Sequence, residues 1–378
     1  MTSDAPAIAP VHASAAAFDA PAFSGTYDPQ DVEILLNPVA IEPTQVADKE
    51  RLIQSGERHY SEMLSAETIP DERYLRLYHE ALERNSANLK TDIVRLAEAI
   101  ANRPETAREC VVISLARAGT PIGVLLVRQL RRMGLPAFHY SISIIRDRGI
   151  DENALRFIKQ RHSPHTAVFV DGWTGKGAIV RQLVTSLEGS DIGFKPFLAV
   201  VADPAGCANL AATTEDYVIP SGLLNGIVSG LISRSVLNDA LVGPDDFHAC
   251  QFMSEHANHD ISRDFIAAIE AAPFLADRPS GLHRDQVAAA RQSCEALLAN
   301  LMEFDRISDV NRIKLGVAEA TRAILRRVPE KLYLNDLADP EIQHMIYLAE
   351  KSGVPIIVRD LSRYRAVVII KSLGGAQE

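Results

Sequence analysis

The chain has 378 residues, 47% of them hydrophobic, with 39 Lys and Arg against 49 Asp and Glu, a formal net charge of −10. That length and apolar content support two domains with full cores, and the acidic balance excludes a general nucleic-acid coat, so any RNA contact must be a local basic face. The four cysteines, Cys110, Cys207, Cys250 and Cys294, are widely spaced with no CxxC pair, which excludes a disulfide framework and a zinc knuckle and fits a reducing cytoplasm.

Residues 1–23 are rich in Ala, Pro and Ser. Without a positive start or an unbroken apolar core they read as a disordered tail rather than a signal peptide. No apolar run approaches the roughly 20 residues of a membrane span. From Asp71 to Ala101 apolar residues recur at helical spacing (Tyr74, Leu75, Tyr78, then Leu89, Ile93, Leu96, Ile100) with a break near Asn85, which predicts two helices. VVISLA (Val111 to Ala116) is a buried-type strand, followed by a helix with Pro121 in its first turn, a strand AFHYSIS and a helix DENALRFIKQRH. TAVFVD, a glycine turn, the helix AIVRQLVTSLEG and the strand PFLAVVAD complete an alternation that predicts an α/β, doubly wound parallel sheet with a helical amino-terminal extension.

Between Tyr217 and Ala271 the pattern is less regular, punctuated by Gly222, Gly226, Gly230 and Gly243, and reads as a cap on the sheet. These pieces define a first domain over 24–275, a linker or helix over 276–300 and a small second α/β domain over 301–378. In the second domain KLGVAEATRAILRRV is amphipathic, KLYLND is a strand, DPEIQHMIYLAEKSG is a helix with an Asp cap and a Gly stop, and VPIIVRD and YRAVVIIKS are strands.

VFVDGWTGKGA (Val168 to Ala178) carries the most chemistry: an apolar strand ends on an acid, and a glycine-rich turn opens a helix. Bare N–H groups at a helix start attract anions, and Gly175 and Gly177 admit a ligand to the main chain. The alternative is an ordinary strand-to-helix turn of a parallel sheet. Asp171 is placed to grip hydroxyls, and Thr174, Gly175, Lys176 and Gly177 to hold a phosphate. Two further loops follow strands: LARAGTPIG (Leu115 to Gly123) offers Arg117 beside a helix start, and IIRDRGID (Ile144 to Asp151) offers Arg146 and Arg148 as a lid would. A phosphate-binding NTPase loop fails on spacing, with Val170 where its first glycine belongs and Gly177 where its metal-holding hydroxyl belongs.

These three loops resemble the pyrophosphate, flexible and phosphoribosyl-diphosphate loops of type I phosphoribosyltransferases, over roughly Glu109 to Asp203. SGTYDPQDVEILL (Ser24 to Leu36), ERHYSEML (Glu57 to Leu64) and LNGIVSGLISRSVL (Leu224 to Leu237) are most similar to the branch labelled StiP cysteine protease, from tellurite-resistance and stress gene neighbourhoods. The resemblance implies transfer at a ribose-phosphate or nucleotide-like centre, with Asp171, Arg117 and Arg148 catalytic, the remaining loop residues binding substrate, and Mg²⁺ accompanying a phosphoribosyl diphosphate. The superfamily usually places two acids before the turn, whereas Gly172 fills the second position here. That leaves a catalytically silent ribose-phosphate sensor as an alternative. Asp203 with Ser229, Ser233 and Arg234 of SGLISR are candidates for the second substrate, or else part of a glycine-bent cap.

GVAEATRAILRR (Gly316 to Arg327) and the segment after it resemble the kink-turn RNA-binding family that includes the carboxy-terminal domain of pelota. Gly316, Glu319 and Thr321 match its Gly-x-Asn-Glu-x-Thr-Lys turn, Arg322 stands for the lysine, and Ala318 replaces the asparagine. RNA is the partner this implies, with Arg322 and Arg326 on one helical face among Arg312, Lys314 and Arg327. The StiP label also raises a peptidase alternative, for which Cys207 or Cys250 with His248 is the pairing to test.

Overall fold

The computed structural model describes residues 23–281 and 283–372. Apart from Phe23, the expected tail lies outside the described residues. In chain order come β1 (Glu33–Leu35), β2 (Asn37–Pro38), α1 (Val46–Gln54), α2 (Glu72–Ala101), β3 (Cys110–Leu115), α3 (Gly119–Arg132) and β4 (Ala137–Ile142). Next are a short hairpin of β5 (Ile144–Ile145) and β6 (Gly149–Ile150), then α4 (Glu152–Lys159), β7 (Ala167–Trp173), α5 (Ala178–Glu188), β8 (Leu198–Ala202) and β9 (Leu210–Thr213). After β10 (Ala249–Cys250), α6 (Ser262–Ala271) and α7 (Arg284–Phe304), the chain ends in β11 (Ile313–Leu315), α8 (Val317–Arg326), β12 (Pro329–Leu334), α9 (Gln343–Ser352), β13 (Ile356–Val358) and β14 (Ala366–Ile370).

The first sheet has the order β1-β4-β3-β7-β8-β9 and every pairing is parallel. Both faces are covered, which is why β3 and β8 are buried at every residue and read as unbroken apolar runs. Val112, Val168, Val170 and Val201 pack against Leu96 and Ile100 of α2 and Ile122 and Leu126 of α3. Val111, Ile113, Phe169 and Val200 pack against Leu155 and Ile158 of α4 and Leu183 and Leu187 of α5. This is the doubly wound α/β sheet, with its turns at the carboxyl ends of the strands available for a site.

Two features differ from expectation. The stretch before the sheet is one helix of 30 residues, capped by Asp71, rather than two; Asn85 interrupts the apolar pattern because it is buried against Glu341 of the second domain, with Nδ2 at 3.0 and 2.9 Å from the carboxylate oxygens. Edge strands β1 and β9 extend the sheet, and their few residues carry no period a sequence could show. Of the two readings of 276–300, linker or helix, much of the stretch is α7, whose Cys294, Leu297 and Leu301 cover one face of the second sheet against Tyr333, Val367 and Ile369.

That second sheet has the order β11-β14-β12-β13, with β14 antiparallel to both neighbours and β12 parallel to β13. Its other face carries α8 and α9, whose apolar side chains join the same core as α2 and the first sheet. Buried polar bonds stitch the boundary: Asp216 Oδ1 accepts from Val317 N and Oδ2 from Arg365 N, each at 2.9 Å, and Glu341 accepts from Val218 N at 2.7 Å as well as from Asn85. A neutral amide cannot accept from all the donors that surround Glu341, so Glu341→Gln is expected to lower stability by about 1–3 kcal/mol, read as a lower urea midpoint at unchanged slope.

Candidate functional site

At the carboxyl end of β7 the chain turns through Thr174, Gly175 and Lys176 into α5. Gly177 precedes the helix at φ 73° and has no side chain to cap it. Thr174 Oγ1 accepts from Gly177 N at 3.0 Å, while the N–H groups of Gly175 and Lys176 donate no hydrogen bond within the described residues. The turn and the helix start therefore present unused donors. Asp171, on the strand just before, accepts from Gly172 N at 2.7 Å; burial pushes its carboxyl up to about 6, against the pull of Arg322.

The loop after β3 brings Arg117 beneath this turn, following a cis Ala116–Arg117 peptide. Arg117 is buried and held: it pairs with Glu67 at 2.6 Å and donates to Ile232 O at 2.8 Å and Asn225 Oδ1 at 3.1 Å. The third loop is the hairpin β5–β6, which leaves Arg146 and Arg148 exposed at the rim. It is pinned by Arg146 N to Tyr60 Oη at 2.8 Å, Asp147 N to Gln182 Oε1 at 2.8 Å, and Arg148 to Glu62 at 3.1 Å. Between hairpin and α5 lies an open cavity of about 560 Å³ lined by Arg146, Arg148, Ala178 and Arg181.

The second domain closes over the turn. Lys176 Nζ donates to Val310 O at 2.7 Å and Ile313 O at 2.5 Å, and Tyr364 Oη donates to Gly175 O at 2.9 Å. A Cβ on Gly175 would lie 2.4 Å from the Leu315 carbonyl, so only glycine fits there. The residues expected to face RNA in solvent lie at this boundary instead. Gly316 (φ 84°) abuts Asp216, Glu319 abuts Gly175, and Thr321 bonds Val317 O and His344 Nε2, each at 2.7 Å. Arg322 stacks over Trp173 at 4.5 Å, and Arg326 donates to Asn225 Oδ1. The docked β11–α8 turn aims them inward, which a single-domain resemblance could not reveal.

Of the remaining candidates, Asp203 accepts from the N–H groups of Ala205, Cys207 and Ala208 and shapes its own turn. Ser229 donates to Asn225 O, Ser233 to Arg234 O, and Arg234 to the carbonyls of Tyr60 and Met63. These bonds bend the cap between β9 and β10. The structure does not assemble a cysteine dyad among the described residues. His248 bonds Ser143 Oγ at 2.7 Å, Cys207 Sγ lies against Gly177 and donates to Ala205 O, and burial raises the thiols of Cys207 to about 11 and of Cys250 to about 12. Sequence reasoning missed Glu67, Asn225 and Trp173. Only Trp173, an aromatic inside a glycine turn, carried a signal. Among the described residues no cluster of three or more His, Cys, Asp or Glu could hold a metal.

Residues 25–270 match the family model described as "Tellurite-like stress resistance cysteine protease StiP". A relative named "Cysteine protease StiP", from Acinetobacter baylyi (strain ATCC 33305 / BD413 / ADP1), is 41% identical over 368 residues, covering 93% of this chain and 95% of the relative. The chain belongs to the StiP family. Beyond the StiP match, residues 292–372 match the PELOTA RNA binding domain. Among solved structures, hypoxanthine phosphoribosyltransferase of Trypanosoma cruzi is 18% identical with a TM-score of 0.26, covering 33% of this chain and 76% of that one. A Leishmania tarentolae enzyme titled as HGPRT-ase in complex with GMP is 12% identical with a TM-score of 0.25, covering 33% and 72%. Among the described residues of this StiP chain, no helix is long and apolar enough to cross a membrane.

Because burial raises the carboxyl of Asp171, its ionised form opposes folding above about pH 6. That opposition vanishes as pH falls below the unfolded value of about 3.9. Asp171→Asn is therefore expected to stabilise the protein on the order of 1–3 kcal/mol near pH 7.5 and to match the wild type near pH 4, measured by urea unfolding at both values.

Proposed function

We propose that the cleft at the carboxyl end of the parallel sheet binds a ribose-phosphate or nucleotide-like ligand, and that the protein acts on it as a phosphoribosyltransferase-like enzyme. The observation that carries this reading is the start of α5, where free N–H groups of Gly175 and Lys176 and an uncapped helix follow directly on Asp171. A phosphate seats on those amides, and Asp171 takes the ribose hydroxyls. Arg146 and Arg148 from the hairpin supply positive charge for a departing pyrophosphate, which is the electrostatic work such a transfer needs, while Arg117 is held against Glu67. Mg²⁺ would enter with the diphosphate, for Asp171 is the single carboxylate on this turn and cannot hold a metal alone.

The family description supports a stress or tellurite-resistance setting, and the PELOTA match supports RNA as a further partner. Cysteine chemistry is the weaker reading. A nucleophilic thiol needs a lowered pKa and a basic neighbour, whereas burial raises all four thiols here.

The test is calorimetric titration of the full chain with phosphoribosyl diphosphate and Mg²⁺. Binding is expected, weakened at least tenfold in Asp171→Asn and in Arg148→Ala, whose exposed side chain pairs with Glu62 at the rim, and unchanged in Cys207→Ala. Absence of any binding heat across temperatures would overturn the reading.

A further inference from the structure

Several cations in the cleft are not accounted for by the amino-terminal domain's own loops. Lys314 on β11 is only 9% exposed, yet its ammonium donates no hydrogen bond among the described residues. The charges acting on it are Glu319 and the like-charged Lys176, Arg146 and Arg327. Arg322 is part-buried on the face of Trp173 and likewise donates no hydrogen bond among the described residues. Arg326, one helical turn on, reaches only Asn225 and borders a cavity of about 180 Å³ between the domains, with Lys49, Glu67 and Arg234 in its wall.

The carboxylates nearby do not balance this charge. Glu67 is already paired with Arg117, Glu319 lies against Gly175, and Asp171 faces Arg322, so these three carboxylates are outnumbered by the cations around them. Burial draws Lys314 down to about 7, with Lys176 acting the same way against Glu319, and Arg322 to about 10, with Arg117 acting the same way against Asp171. Uncompensated buried cations oppose folding, and an arrangement that keeps several of them beside unpaired backbone amides is completed by an anion.

We propose that the carboxy-terminal module supplies the second half of the anion site: Lys314 of β11 and Arg322 of α8 bind the same ligand as the β7–α5 turn, a ribose or nucleoside bearing a diphosphate or longer phosphate chain. The proposal rests on the ribose-phosphate reading above and extends it across the domain boundary. A small ligand is favoured over an RNA strand because these side chains sit inside a closed boundary, tied by Lys176, Asp216 and Tyr364, which a polymer could enter only by separating the domains.

Titration of the full chain with phosphoribosyl diphosphate and Mg²⁺, and separately with inorganic pyrophosphate, is repeated on Lys314→Gln, Arg322→Gln and Asp171→Asn. Each variant is first melted without ligand, so that a loss of fold is separated from a loss of binding. Affinity for phosphoribosyl diphosphate is expected to fall at least tenfold in both cation variants, and Arg322→Lys, which keeps the charge, to retain most of it. If Asp171→Asn loses binding while Lys314→Gln and Arg322→Gln bind like the wild type, the composite site is overturned and the ribose-phosphate reading stands. If the wild type binds neither ligand, both fail. If single-stranded RNA binds instead and Lys314→Gln and Arg322→Gln lose it, the small-ligand site is overturned in favour of an RNA surface.

Discussion

The contact on which the molecule depends is that of two turns: β11–α8 of the second domain lies on β7–α5 of the first. Backbone meets backbone there, with the Leu315 carbonyl where a side chain at residue 175 would have to be. Such close approach fixes the domains to within a fraction of an ångström, because any displacement leaves the carbonyls over Lys176 or the carboxylate of Asp216 without their donors. Everything chemically distinctive about the cleft follows from that closeness. It half-buries Asp171, sets Arg322 over Trp173 and buries Lys314.

The electrostatic consequence is an inversion of the whole chain's balance. The protein is acidic overall, yet the cleft gathers cations from several segments. Coulomb attraction for an anion is far stronger in such a partly dehydrated setting than at an open surface, and salt screens it less. A helix face that resembles an RNA-binding turn lies, in this fold, at the domain boundary, where Arg326 borders a cavity of about 180 Å³. The residue types are the same as for binding a phosphate backbone, and the geometry decides what can reach them.

Much of this was legible in the sequence, but unevenly. The doubly wound sheet follows from apolar runs such as TAVFVD and PFLAVVAD, whose continuity is the direct mark of strands buried on both faces. The glycine turn was legible as a helix start open to anions. Part of its glycine content has another cause, because Gly175 yields to Leu315, and that contact is made between residues distant in the chain. For the same reason Asn85 reads as a helix break when it is a buried partner for Glu341. Glu67 and Asn225, which hold Arg117, carry no local signal at all. A polar residue's role as a counter-charge is set by tertiary packing and not by its neighbours in sequence.

The boundary contains bonds of two kinds, and the difference governs how it responds to a ligand. At the rim, exposed pairs such as Lys351 with Asp71, and half-buried ones such as Arg327 with Glu50, contribute little individually and weaken with salt. At the centre, Asp216 and Glu341 accept backbone and amide donors out of water, and losing one partner leaves the other unsatisfied. Opposing both is like-charge repulsion of Lys314 by Lys176 and of Arg326 by Arg117 and Arg322. An anion placed among those side chains replaces repulsion by attraction without touching Asp216 or Glu341. By linkage, a ligand that binds only the closed arrangement stabilises it in proportion to the logarithm of its concentration over its dissociation constant. The domain contact and the ligand site are then a single equilibrium, in which the charge that destabilises the empty cleft is the charge that binds.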